Sequence, residues 1–133
     1  MKRNVVTADD LLAIAAVALD STVDELRAQA REGALEGITG NLDVTFDGQL
    51  LFWHPVERAA LVAERLVLNP PFASGNERVA LLYLLMALDE LWCRLTVPKD
   101  DVVEMLMRLS GIGEPLAEEE FREWVVENTR SVL

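Results

Sequence analysis

Residues 66–80 read Leu66-Val67-Leu68-Asn69-Pro70-Pro71-Phe72-Ala73-Ser74-Gly75-Asn76-Glu77-Arg78-Val79-Ala80, and the sequence concentrates its chemistry here. Gly75 and Asn76 stand where a loop turns into a helix. The first backbone N–H groups of that helix have no internal acceptor. Together with the macrodipole they make an anion site suited to phosphate. Arg78, in the first turn, adds a charge-assisted fork to the same anion. The same residues also allow a purely structural reading. Ser74-Gly75-Asn76-Glu77 is S-x-x-E, a capping box, in which Ser74 accepts from the Glu77 N–H and Glu77 reaches back to the Ser74 N–H. An N-cap serine is worth ~1 kcal/mol over alanine. In that case the chain fills the anion hole with its own acid. At the level of sequence both readings stand.

The elements that must position this segment follow from hydrophobic period and punctuation. Thr7 with Asp9 and Asp10 starts a helix carrying Leu11, Leu12, Ile14, Ala15 and Leu19. Ser21 and Thr22 are candidate caps for a short helix through Arg31, after which Gly33 and Gly37 loosen the chain. Val44-Thr45-Phe46, Asp47-Gly48 and Leu50-Leu51-Phe52 predict a β-hairpin with a type I′ turn. Two strands alone are marginal, so the hairpin should lie on the helices as a flap. Pro55 opens a helix with Ala59, Leu61, Val62, Leu66 and Val67 on its apolar face. Pro70 and Pro71 force it to end near Asn69. Ser74 starts the next helix, apolar nearly all round from Val79 to Leu88 and running to about Trp92, which belongs at the centre of a bundle. Pro98 begins another through Leu109, and a last one spans Leu116 to Asn128. The expectation is an all-α single domain, residues 1–133, around a central apolar helix with one small flap.

Pro71, Phe72, Gly75, Asn76 and Arg78 stand in the order and spacing of H-P-F-x-[DE]-G-N-[GK]-R, the signature of the Fic/Doc (Fido) family. Set between two apolar helices, the segment resembles that signature in context as well. Arg31-Glu32-Gly33-Ala34-Leu35-Glu36 precedes the hairpin, as a similar segment does in the short Doc (death-on-curing) toxin branch. The resemblance covers residues 7 to 128. It implies a compact Fic/Doc-like helical fold and a toxin–antitoxin setting. It also implies transfer of phosphate or AMP from ATP, with Mg²⁺, to a protein hydroxyl. Ser74, Gly75, Asn76 and Arg78 are then the nucleotide- and phosphate-binding positions. A small antitoxin-like protein and a translation elongation factor are the partners implied.

Three motif positions depart from that pattern. Pro70 stands at the family's His, the general base toward the target hydroxyl, and proline has no proton acceptor. Such a base is typically worth ~10²–10⁴ in rate. Ser74 replaces the acid that holds the metal, so no metal ligand is expected, and Glu77 puts a carboxylate beside the phosphate. The resemblance therefore implies a degenerate site, inactive or impaired: a pseudoenzyme. The alternative is an active Doc-like protein kinase or AMP transferase with a non-standard motif, because phosphoryl transfer rests largely on positioning and electrostatics.

Outside the motif the expectations are structural. His54, the single histidine, should cap or pack where the flap meets a helix. Ser21 and Glu25 partly match the family's autoinhibitory [ST]-x-x-x-E-[GN], but Leu26 follows, and a helix cap is expected. Cys93 should be a core thiol, and Trp92 and Trp124 should pack. Glu118, Glu119 and Glu120 suit the start of the last helix. With 12 Lys and Arg against 23 Asp and Glu, the net charge is −11, which disfavours nucleic acid and anionic membranes. One cysteine excludes an internal disulfide, and the absence of CxxC, HExxH and Walker-type motifs argues against zinc and P-loop chemistry. Val79 to Leu88, the longest nearly unbroken apolar run, is far short of the ~20 residues of a membrane span. Asp9 and Asp10 interrupt any leader-like apolar region. A cytoplasmic protein is expected.

Overall fold

The computed structural model describes residues 6–40, 42, 45–46, 49–50 and 54–133. Among these the element order is α1 (Ala8–Ala18), α2 (Val23–Gln29), α3 (Ala34–Thr39), β1 (Thr45–Phe46), β2 (Gln49–Leu50), α4 (Pro55–Leu68), α5 (Asn76–Glu90), β3 (Cys93–Leu95), α6 (Lys99–Leu109), α7 (Glu118–Glu127) and β4 (Thr129–Ser131). The architecture is helical, as the hydrophobic period predicts.

Most helix starts follow from local chemistry. At α1 the Asp10 N–H donates to Thr7 Oγ1 at 3.1 Å and the Thr7 N–H donates to Asp10 Oδ2 at 2.9 Å, closing a capping box. Thr22 caps α2 by accepting from the Glu25 N–H at 3.1 Å. Pro55 occupies the first turn of α4 behind His54, and Pro98 precedes α6. Glu118, Glu119 and Glu120 form an exposed acidic first turn on α7.

Three expectations about these elements need correction. The short helix α2 ends at Gln29, short of Arg31, because Ala30 turns extended and the Arg31 N–H donates instead to Pro71 O at 2.8 Å. Gly33 and Gly37 do not loosen the chain: Gly33 is the N-cap of α3 and Gly37 lies within it, and Ala34, Leu35 and Ile38 of that helix are buried. Its last carbonyls are satisfied from α4, where Arg65 Nη1 donates to Ile38 O at 3.1 Å and to Gly40 O at 2.6 Å. Trp92 does not pack. It sits at φ +58° just past α5, 62% exposed, and its carbonyl accepts from the Val132 N–H at 2.8 Å. That bond adjoins a second antiparallel pair, β3 with β4, in register Cys93↔Ser131 to Leu95↔Thr129. The predicted hairpin is present as β1 and β2, with Thr45↔Leu50 and Phe46↔Gln49 paired. Its Asp47-Gly48 turn, Val44, Leu51 and Phe52 lie outside the described residues.

The core is built on α4 and α5, with α1, α6 and α7 packed round them. Leu11, Ile38, Leu66, Val79, Leu84, Leu88, Leu106 and Phe121 are fully enclosed. The central helix α5 is nonetheless open on one side, where Leu82 and Leu85 are half-buried and Met86 is exposed. Trp124 and Cys93 pack partly buried against the core. Among the described residues the one charged side chain enclosed with it is Glu64 of α4. Arg122 of α7 reaches it, with Nη1 2.8 Å from both carboxylate oxygens. Burial still pushes the Glu64 carboxyl up to about 7, against the pull of Arg122 and with the help of Glu118.

Candidate functional site

The motif segment is the loop between α4 and the start of α5, and three anchors hold it. Phe72 is buried in the core. The Phe72 N–H donates to Asn76 Oδ1 at 3.1 Å, and Asn76 Nδ2 donates back to Phe72 O at 2.9 Å. This two-way clasp uses both ends of the buried Asn76 amide. From the end of α2, Gln29 Oε1 accepts from the Ala73 N–H at 3.1 Å, and the Arg31 N–H donates to Pro71 O at 2.8 Å. The Arg31–Glu36 segment thus begins by gripping the motif loop through its backbone.

The clasp decides how the helix begins. Gly75 is the N-cap, left-handed at φ +78° and ψ 13°, with no side-chain cap. A capping box would need Gly75 in helical geometry behind an extended Ser74. The predicted Ser74–Glu77 box is therefore absent: Ser74 is exposed, and no hydrogen bond joins the two residues. Glycine is needed at this position twice over, by its φ and by its neighbours. A Cβ added there would run into the Leu19 side chain and come within 3.0 Å of Arg78 Nη2.

Arg78 thus lays its guanidinium alongside the helix start. It is exposed and has no ion-pair partner among the described residues. The Arg78 N–H is already used, donating to Gly75 O at 3.0 Å. The N–H groups of Asn76 and Glu77 have no acceptor inside the helix. What the segment can offer an anion is therefore two backbone donors, the positive end of a fifteen-residue helix and one guanidinium. The Asn76 side chain is committed to the loop.

The reacting positions are less well furnished. Pro70, at the base position, is exposed, while Pro71 beside it is buried. His54 cannot stand in. It caps the far end of α4, its Nδ1 accepting from the Val56 N–H at 3.2 Å, and fourteen residues of helix separate it from the loop. At 1.5 Å per residue that is about 20 Å. Mg²⁺ is usually held by one or two carboxylates plus substrate phosphates. At the motif's acidic position the chain has only the Ser74 hydroxyl, and no group of three metal-ligating side chains occurs among the described residues. The protein's share of a magnesium site does not fit. Glu25 is engaged locally, accepting from Ser21 Oγ at 2.8 Å within the start of α2.

Two residues that shape this site escaped the reading of the sequence. Leu19 closes on Gly75 from the end of α1, and Gln29 holds the loop from α2. Neither carries a local signal, because a leucine and a glutamine at helix ends are ordinary.

No helix among the described residues is long and apolar enough to cross a membrane. Neither a curated protein nor a solved structure gives a significant match to the chain. The model of the Fic/DOC family matches residues 5–88, more than half of the chain and all of the segment from α1 through the motif into α5. With the motif loop, its clasp and most of the following helix inside that stretch, the chain belongs to the Fic/DOC family.

Proposed function

We propose that this protein is a Doc-like member of a toxin–antitoxin system whose transferase site keeps its frame and has lost its base. The family chemistry is transfer of phosphate or AMP from ATP to a protein hydroxyl. One observation supports the reading: Gly75, Asn76 and Arg78 stand together at the uncapped start of α5, while the position corresponding to the family's base is an exposed proline. The absence of a Ser74–Glu77 box leaves the start of α5 without a side-chain cap, which favours a site for an external anion over one filled by the chain's own acid. Glu77, half-buried in the first turn of α5, opposes a bound phosphate by charge. Transfer is then slowed by about 10²–10⁴ for the missing base alone. In this setting the chain is cytoplasmic, with a small antitoxin-like protein and a translation elongation factor as its partners.

The test is reconstruction. Pro70→His with Glu77→Lys should restore ATP-dependent modification of protein, or growth arrest on expression, where the unaltered chain gives little. Calorimetric titration with ATP and Mg²⁺ on both proteins separates binding from chemistry. If the unaltered chain modifies protein as fast as the reconstructed one, the site is an active transferase with a non-standard motif and the proposal fails. If reconstruction restores nothing, no catalytic frame survives.

A further inference from the structure

On α6 and the turn that follows it, remote in sequence from the motif, an open groove of about 440 Å³ is lined by Asp100, Val103, Glu104, Met107, Arg108 and Ile112, with Gly113 and Glu114 beside them. Its volume falls within the ~300–1,000 Å³ usual for ligand sites. The floor is aliphatic: Val103, Met107 and Ile112. Val103 and Met107 are only half-buried, and Ile112 is 59% exposed.

The backbone holds Ile112 in this open position. Gly111 at φ +97° ends α6, the Gly111 N–H donates to Arg108 O at 3.2 Å, and the Ile112 N–H donates to Met107 O at 2.9 Å. This is a Schellman ending, which seats the residue after the glycine against the helix's last turn. It accounts for Ile112 lying beside Met107, and it leaves most of the isoleucine in water.

The rim is charged with one predominant sign. Asp100, Glu104 and Glu114 bring three carboxylates, against the single guanidinium of Arg108. That guanidinium is turned to its own loop, with Nε donating to Glu114 O at 2.9 Å and Nη1 lying 3.3 Å from Met105 Sδ. An aliphatic floor inside a carboxylate rim complements a segment with an apolar stripe flanked by lysine or arginine. A second copy of this chain is a poor occupant, since each copy carries a net charge of −11. We infer that the α6 groove is a docking site for a cationic amphipathic segment of a partner protein, separate from the motif loop.

The experiment uses the full chain, ¹⁵N-labelled, titrated with a synthetic amphipathic peptide bearing a leucine stripe and lysine flanks. A matched peptide with every lysine replaced by glutamate is the control. The expected result is saturable amide shifts confined to residues 99–114 with the lysine peptide and none with the control. Reversing the rim charge in Glu104→Lys should weaken binding by about tenfold, the effect of exchanging an attraction for a repulsion at an interface rim. The same reversal at Glu119, on α7, should leave affinity unchanged. Both substitutions are at exposed positions, so the fold is retained. Absence of binding, equal affinity in Glu104→Lys, or shifts spread over the acidic start of α7 would each overturn the inference. So would concentration-dependent shifts of residues 99–114 without peptide, which would assign the groove to a second copy.

Discussion

Asn76→Ala is the sharpest test of how the motif loop is built. Asn76 is 7% exposed and Phe72 is 4% exposed, and the amide makes two hydrogen bonds to the Phe72 backbone, at 3.1 and 2.9 Å. Alanine removes both bonds and strands a backbone N–H and a backbone C=O in the core. A buried group left unpaired costs about 1–3 kcal/mol, and adjustment of the loop to admit water recovers part of that. The expected loss is about 2–4 kcal/mol. For a chain of this length each kcal/mol moves Tm by about 4 °C, so thermal unfolding should shift down by about 8–15 °C. Asn76→Asp is the informative companion. Its carboxylate can still accept from the Phe72 N–H but faces the Phe72 carbonyl with no proton to donate. That variant should be destabilised at pH 7 and recover as acidification protonates the new side chain. Circular dichroism melts of the three proteins at pH 7 and pH 4 decide the matter. A shift under about 2 °C for Asn76→Ala, against the unpaired-group costs above, would refute the clasp and return Asn76 to a ligand-facing role.

Two other expectations concern charge. Glu64 has its carboxyl at about 7 in the fold against 4.5 when free, so the native state binds more protons between these values. Its contribution to stability is fully present below pH 4.5 and is lost as pH rises through 7. Urea unfolding of Glu64→Gln and the unaltered chain across pH 4–8 should show the variant gaining on the parent as pH rises. The gain is on the order of 3 kcal/mol at most and flattens above pH 7. A variant that loses ground as pH rises would mean that the Arg122 pair outweighs burial. Arg78→Ala should leave stability within about 0.5 kcal/mol of the parent, as expected of an exposed side chain with no ion-pair partner among the described residues. The same variant should abolish whatever heat ATP or inorganic phosphate gives in a titration. A large drop in Tm would make Arg78 a structural residue.

Much of the fold was legible because its signals are local. Thr7 with Asp10, Pro55, Pro98 and the proline pair after Asn69 each state a boundary within one helical turn. The elements that were missed depend on distant partners. Helix α3 contains a glycine and follows another, and its ends are completed by Arg65 from α4. β3 and β4 pair across the whole of α6 and α7, which lie between them in the chain. At the site, S-x-x-E reads as a capping box on any chain, and only the Asn76 clasp, a contact to the backbone of Phe72, moves the cap to Gly75. Glu64 looks like one more surface acid among 23 until α7 delivers Arg122 to it.

Burial orders the motif in a way that explains which positions hold to the family signature and which depart from it. Pro71, Phe72, Gly75 and Asn76 match it, and all four are buried. Three of them have a stability role that depends on the side chain: core packing for Phe72, a left-handed turn for Gly75 and the clasp for Asn76. Replacing any of these three destabilises the fold whether or not catalysis is in use. Pro70 and Ser74 depart from the signature, and both are exposed, where a change costs little stability. Glu77, the third departure, is half-buried and makes no hydrogen bond to Ser74. Under the proposed function, a chain released from catalysis would lose its reacting groups and keep its frame, and this distribution of burial accords with that proposal. Arg78 is the exception: it matches the signature, is exposed, and packs nothing that the core requires. Stability does not account for it. Its guanidinium lies beside Gly75 at the positive end of α5, the place from which it would meet an anion in the proposed site, and the Arg78→Ala titration tests that use.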